Sequence, residues 1–239
     1  MRRVGALAAV LVFAGCGGGP AAPGDTSHLT DTPLAPLAQP APQPPDGRRL
    51  RFRATDGVRL HGTLYPAAQP HAPAVVLVHG LAGNPHQWDG FVHDLHRAGF
   101  AALAYASRSD QETDPAVLAR DVAGAVNALR TVRAVDPERI ALGGASVGGS
   151  AVADALSTDL PVVGGVAVSA VAGRSFRPHD LLLISDVREA ATARRLRAAA
   201  HDSGVTVAIA PTVGHGTVLL RDADVRARAI AWLRTLVTR

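Results

Sequence analysis

The sequence predicts an α/β domain built on a mostly parallel sheet with helices on both faces. Three observations carry that expectation. Short apolar runs rich in valine recur along the chain, as strands buried on both faces require. Longer segments with helical spacing of apolar residues separate them. An antiparallel pair leads the series, and from there strand alternates with helix, the connectivity that builds a parallel sheet.

Taken in order, Leu50, Phe52 and Ala54 alternate with arginine and threonine, Asp56-Gly57 makes a turn, and Val58, Leu60, Gly62 and Leu64 alternate again. This is the pattern of a two-stranded hairpin. Residues 74–78 are an unbroken apolar run. Trp88, Phe91, Val92 and Leu95 place an apolar stripe on a helix over 88–98, ended by Gly99. Residues 101–105 read as a strand. Val117, Leu118, Val122, Val126 and Leu129 mark an amphipathic helix over 114–133. A strand at 139–142 leads to a helix at 147–156. Buried strands at 162–168 and 181–184, a helix at 187–200, a strand at 205–210 and a closing helix at 222–236 complete eight strands. No internal repeat is visible.

The chain has 239 residues, of which 47% are hydrophobic, enough for one domain with a sizeable core. Its basic residues are all arginine, and the formal net charge is only +4. The arginines are scattered apart from Arg48-Arg49 and Arg194-Arg195, with no basic stripe interleaved with aromatics, so nucleic-acid binding is not expected.

The amino terminus reads as a targeting segment. Met1-Arg2-Arg3 is a positive n-region, and residues 4–14 are apolar but too short to span a bilayer. Phe13-Ala14-Gly15-Cys16 resembles the bacterial lipobox, with Phe13 where leucine is usual. That resemblance implies cleavage after residue 15, lipidation of Cys16 and an exported, membrane-anchored protein. Cys16 is the only cysteine, so no disulfide is expected. Eight prolines lie between residues 17 and 47, in a stretch poor in large apolar residues. Residues 16–47 are therefore expected to be an extended, disordered tether, and residues 48–239 the folded domain.

The candidate chemistry centres on residues 139–150. An apolar run ends in Gly144-x-Ser146-x-Gly148, and a small-residue segment able to start a helix follows. This is the signature of a nucleophile elbow, a sharp strand-to-helix turn that holds one serine hydroxyl out at the end of a sheet. A Cβ at either glycine is expected to strike the neighbouring strand or helix. A serine hydroxyl needs a base to attack at neutral pH. His215 is the best candidate, in a glycine-flanked loop after the last strand.

The order of strands, His79-Gly80 after the third, the elbow after the fifth and the late histidine together resemble the α/β-hydrolase superfamily. The resemblance covers roughly residues 48–239 and is to compact, dienelactone-hydrolase-like and esterase branches without a large cap. It implies a Ser-His-acid triad with Ser146 as nucleophile, His215 as base and an acid after the strand at 181–184. Asp186 is placed first for that acid, with Glu189 beside it as the alternative. It also implies an oxyanion hole formed by the backbone N–H groups of Val147 and Leu81. No metal or organic cofactor is implied.

His86, His93 and His96 invite a metal reading, but no H-E-x-x-H or cysteine pair accompanies them, and solvated or capping roles are expected. No phosphate loop follows a first strand. The expectation is thus a lipid-anchored, exported serine hydrolase cleaving small-molecule carboxylic esters through an acyl-enzyme. Acyl transfer by the same triad and a non-catalytic envelope binding protein are the alternatives. Oligomeric state, substrate and chain preference stay open.

Overall fold

A computed structural model describes residues 43–109, 111–171, 178–200 and 204–239. The expected signal segment, Cys16 and nearly all of the expected tether lie outside the described residues. β1 (Arg48–Arg53) and β2 (Arg59–Tyr65) form the hairpin, antiparallel from Arg48 opposite Leu64 to Arg53 opposite Arg59. Ala54 N–H donates to Val58 O at 2.9 Å across its turn, where Gly57 supplies the left-handed residue at φ 89°.

β2 continues antiparallel onto β4 (Ala101–Tyr105). β3 (Ala72–Val78) runs parallel to both β4 and β5 (Val135–Ala145). β6 (Gly165–Val168), β7 (Leu181–Asp186) and β8 (Val205–Ala210) extend the parallel part. The eight-stranded order is β1-β2-β4-β3-β5-β6-β7-β8.

The continuous apolar run of β3 is explained by its place. Strands flank it on both sides and helices cover both faces, so residues 74–78 are all fully buried. The pleat divides them. Ala74, Val76 and Val78 share a core with Leu118, Val122 and Val126 of α2 (Pro115–Arg130) and Ala151 and Val152 of α3 (Val147–Leu156). Val75 and Leu77 share the opposite core with Phe91, Val92 and Leu95 of α1 (Asp89–Arg97) and Val225, Ala229 and Leu233 of α5 (Ala223–Val237). Side-chain caps set two helix starts. Asp114 accepts from Ala116 N–H ahead of α2, with Pro115 in the first turn, and Asp222 accepts from Asp224 and Val225 N–H ahead of α5.

Several boundaries differ from expectation, β5 most of all, which runs from Val135 to Ala145 rather than over 139–142, and two have clear local reasons. The helix expected from 187 begins three residues later, as α4 (Ala190–Ala199), because the Asp186 carboxylate takes the N–H groups of Arg188 and Glu189 into a turn. β6 starts at Gly165 rather than 162, after Gly164 bends the chain at φ 131°. From β3 the chain steps to β4 on one side, then crosses back through α2 to β5 on the other. The loops leaving β3 and β5 therefore diverge, and such a switch point opens a crevice at the carboxyl ends of the strands. Among the described residues no helix is long and apolar enough to cross a membrane.

Candidate active site

Ser146 sits at that crevice, between the end of β5 and the start of α3, with φ 55° and ψ −121°. L-residues rarely adopt such a backbone, and holding it costs on the order of 1–3 kcal/mol. The flanking glycines explain how the turn is tolerated. A Cβ on Gly144 would lie 2.3 Å from the Gly148 carbonyl oxygen, and one on Gly148 would lie 2.4 Å from that of His79 and 2.5 Å from that of Val78. Ser146 N–H donates to Val168 O at 2.8 Å, tying the elbow to β6.

His215 comes from the loop after β8. Its Nε2 is 2.8 Å from Ser146 Oγ, although 69 residues separate the two. Its Nδ1 is 2.5 Å from Glu189 Oε1. An ionised carboxylate only accepts, so Nδ1–H donates to Glu189 and the Nε2 lone pair is left to accept the serine hydroxyl. Two bonds hold the loop. Gly214 N–H donates to Asp186 Oδ2 at 3.1 Å, and Gly216 N–H donates to the buried Ser169 Oγ at 3.0 Å. Ser169 itself adopts φ 53°. No sequence signal singles it out.

The expectation that ranked Asp186 ahead of Glu189 as the partner of His215 is corrected by this geometry. Asp186 is fully buried at the end of β7 and engaged by backbone and arginine donors instead. One carboxylate oxygen accepts from Arg188 N–H at 2.9 Å and Glu189 N–H at 3.0 Å; the other accepts from Arg188 Nε at 2.9 Å and Gly214 N–H. Burial pushes its pKa up, but the Gly214 N–H, the Arg188 guanidinium and the Glu189 N–H outweigh burial and hold it down at about 2. The physical reason for the exchange is reach. Asp186 spends its oxygens on the turn that follows it and on the Gly214 N–H, and that turn carries the longer Glu189 side chain to the imidazole.

The two groups expected to form the oxyanion hole flank the serine. Val147 opens α3, whose N-terminus carries the positive end of the helix dipole. Leu81 follows Gly80, where a Cβ would stand 3.2 Å from Ser146 Cβ. Among the turn and cap hydrogen bonds of the described residues, none uses the N–H of Leu81 or Val147. His79 is buried beside this loop, accepting from Ser107 N–H at Nε2 (3.1 Å) and donating from Nδ1 to Gly80 O (2.8 Å). It thereby ties the loop after β3 to the one after β4.

The three histidines that invited a metal reading have separate partners. His86 pairs with Asp89, His93 with Asp94 and His96 with Pro66 O. Among the described residues no group of three or more His, Cys, Asp or Glu is arranged to hold a metal ion. Arg108, just past the end of β4, forms an ion-pair network with Asp56 and Asp121.

Comparison with known proteins agrees with this architecture. Residues 75–238 match the Alpha/beta hydrolase family. The chain is 33% identical over 120 residues to thiohydrolase apmlB of Arthrinium phaeospermum, covering 46% of this chain and 39% of that one. It is 29% identical over 161 residues to thiohydrolase aneE of Aspergillus aculeatus, covering 61% and 50%. The chain thus spans half or less of the length of these curated relatives. Among solved structures, a dienelactone hydrolase from Anabaena variabilis superposes with a TM-score of 0.67 at 18% identity, over 80% of this chain and 98% of that one.

Proposed function

The chain belongs to the alpha/beta hydrolase family, and on that premise we propose that it is a serine hydrolase of carboxylic esters, exported and held at a membrane through a lipid on Cys16. The observation that carries the reading is the 2.8 Å approach of His215 Nε2 to Ser146 Oγ, with Glu189 on the far side of the ring.

Ser146 Oγ attacks the ester carbonyl carbon as its proton passes to His215 Nε2. The charge that develops on the carbonyl oxygen is met by the N–H groups of Val147 and Leu81. Glu189 fixes the tautomer and stabilises the imidazolium. The C–O bond to the alcohol then breaks, His215 returns the proton to the departing oxygen, and an acyl-Ser146 ester remains. Water, deprotonated by His215, repeats the sequence and releases the acid. Asp186 acts through Glu189 and His215 by holding their loops. The thiohydrolase names of two relatives extend the reading to thioesters, where a thiolate leaves in place of the alkoxide. The half-exposed ring of His215 favours water over a larger acceptor, and hence hydrolysis over acyl transfer.

A fluorophosphonate probe tests the catalytic part and separates it from a binding protein on the same scaffold. Labelling of Ser146 that disappears in Ser146→Ala is expected; an unlabelled wild type would remove the enzyme. The anchor is tested separately by mass spectrometry of the mature amino terminus, expected to be diacylated Cys16.

A further inference from the structure

Six large apolar side chains are exposed among the described residues: Val58, Leu81, Val171, Val187, Val213 and Val218. Single exposed valines are ordinary. Their distribution is not, because five of the six stand on loops at one end of the sheet. Leu81 follows β3, Val171 follows β6, Val187 follows β7, Val213 follows β8, and Val218 lies in the 3-10 turn (Gly216–Arg221) after it. This is the end at which Ser146 stands.

Each of the five is also close in the chain to a group bonded into the site. Leu81 adjoins Gly80, against Ser146 Cβ. Val171 is two residues past Ser169, which holds the His215 loop, and its own N–H donates to Ser150 Oγ in the first turn of α3. Val187 is two residues before Glu189. Val213 is two residues before His215, and Val218 donates its N–H to His215 O. Their exposures run from 41% to 57%, whereas the other large apolar side chains among the described residues, Val58 apart, are buried or partly buried. An apolar surround with a few convergent polar groups at its centre is the make-up of a ligand site.

We propose that this rim receives the hydrocarbon chain of the substrate, so that the protein acts on esters of medium-length alkyl chains in preference to short or polar ones. The proposal rests on the serine-hydrolase reading above and names its substrate class. The occupant follows from the chemistry at the centre. A reacting carbonyl must come within about 3–3.5 Å of Ser146 Oγ. On this proposal, whatever is attached to that carbonyl leaves the crevice across these side chains. An alkyl chain gains by covering them, whereas a charged or hydroxylated group gains nothing. The chain is either the acyl part or the alcohol part of the ester, and the substrates below distinguish the two.

The test measures kcat/KM for 4-nitrophenyl acetate, butanoate and octanoate, and for ethyl and octyl acetate. In the series that carries the chain, each methylene is expected to raise kcat/KM roughly twofold, about half the factor that full burial would give, because an open rim covers one side of the chain. In Val187→Thr/Val213→Thr, which keeps both side chains in shape and exposes little new surface, the octanoate-to-acetate or octyl-to-ethyl ratio is expected to fall about fivefold. Acetate hydrolysed as fast as the longer esters in both series would overturn the proposal while leaving the hydrolase reading intact. So would a chain preference that survives undiminished in the double variant, or a concentration-dependent dimer of the wild type that the double variant abolishes, since the rim would then cover a second copy. Failure of Ser146 to take the fluorophosphonate probe would remove the hydrolase reading and the proposal with it.

Discussion

Glu189 reaches His215 from the residue that caps α4, its Oε1 2.5 Å from the imidazole Nδ1. The position is set by Asp186, whose carboxylate accepts the Glu189 N–H on one oxygen and the Gly214 N–H on the other. One buried carboxylate thus fixes the backbone on both sides of the contact, and the second makes the contact itself.

This division of labour separates the two acids in experiment. Glu189→Gln leaves the backbone frame in place and removes the negative partner of the imidazole, so kcat is expected to fall by roughly two to four orders of magnitude with little change in thermal unfolding. Asp186→Asn is expected to lower stability and to reduce kcat less than Glu189→Gln does. Steady-state kinetics and circular dichroism on the two variants check this. A larger kcat loss in Asp186→Asn, with stability preserved, would return the orienting role to Asp186.

Ser146 holds a backbone conformation that L-residues rarely adopt, and the strain is measurable. Ser146→Ala and Ser146→Gly both remove the proposed nucleophile, and turnover is expected to fall by roughly three to six orders of magnitude in each. Only the glycine variant escapes the cost of φ 55°. It is expected to be more stable than the alanine variant by about 1–2 kcal/mol, which for a domain of this size raises the melting midpoint by about 3–6 °C. Differential scanning calorimetry of the pair gives the answer, and equal midpoints would mean that the elbow stores no strain.

Asp186 also predicts how the fold meets acid. Its pKa is held at about 2, below the roughly 3.9 of an unfolded aspartate, so the unfolded state binds its proton first. Its contribution to stability is therefore fully present above about pH 4 and is lost as pH falls toward 2. Urea unfolding of the wild type and Asp186→Asn across pH 2–6 should show the two curves far apart at pH 6 and converging toward pH 2. A constant gap would show that the carboxylate charge is not what stabilises the turn.

The fold was legible because burial imposes patterns on sequence. Residues 74–78 could only be an apolar run, being enclosed on four sides, and the two elbow glycines could only be glycines, since any Cβ meets a carbonyl oxygen within 2.5 Å. Ser146 and His215 were legible for the same reason: each is marked by glycines that its turn or loop requires. The acid was harder. Asp186 and Glu189 both follow β7, and the choice between them depends on where the chain turns. That turn is made by the Asp186 side chain competing with the helix for N–H groups, which apolar spacing does not record. Ser169 left no trace at all, because a single hydroxyl receiving the Gly216 N–H looks in sequence like any other serine. The role of Arg108 was no more visible, because its partners lie 13 and 52 positions away.

That arginine carries the last prediction. Arg108 binds the fully buried Asp121 of α2 through Nε and Nη2, and Asp56 in the hairpin turn through Nη1 and Nη2. It thereby clips β1 and β2 to the body of the sheet. Burial raises the Asp121 pKa, and the Arg108 hydrogen bonds and charge pull against that rise. Arg108→Ala leaves the Asp121 carboxylate buried without its cation, a change that costs about 3–5 kcal/mol where a buried pair is broken. The pH dependence gives the sign. With its pKa raised further, Asp121 folds more readily when protonated, so the deficit of the variant should be largest at neutral pH and shrink as pH falls through the carboxylate range. The double variant Arg108→Ala/Asp121→Asn should recover much of the loss at neutral pH, because the uncompensated charge has gone. Chemical denaturation of the three proteins at pH 7 and pH 5 tests both statements. A deficit independent of pH, unrelieved by the second substitution, would mean that Arg108 holds the hairpin by packing alone.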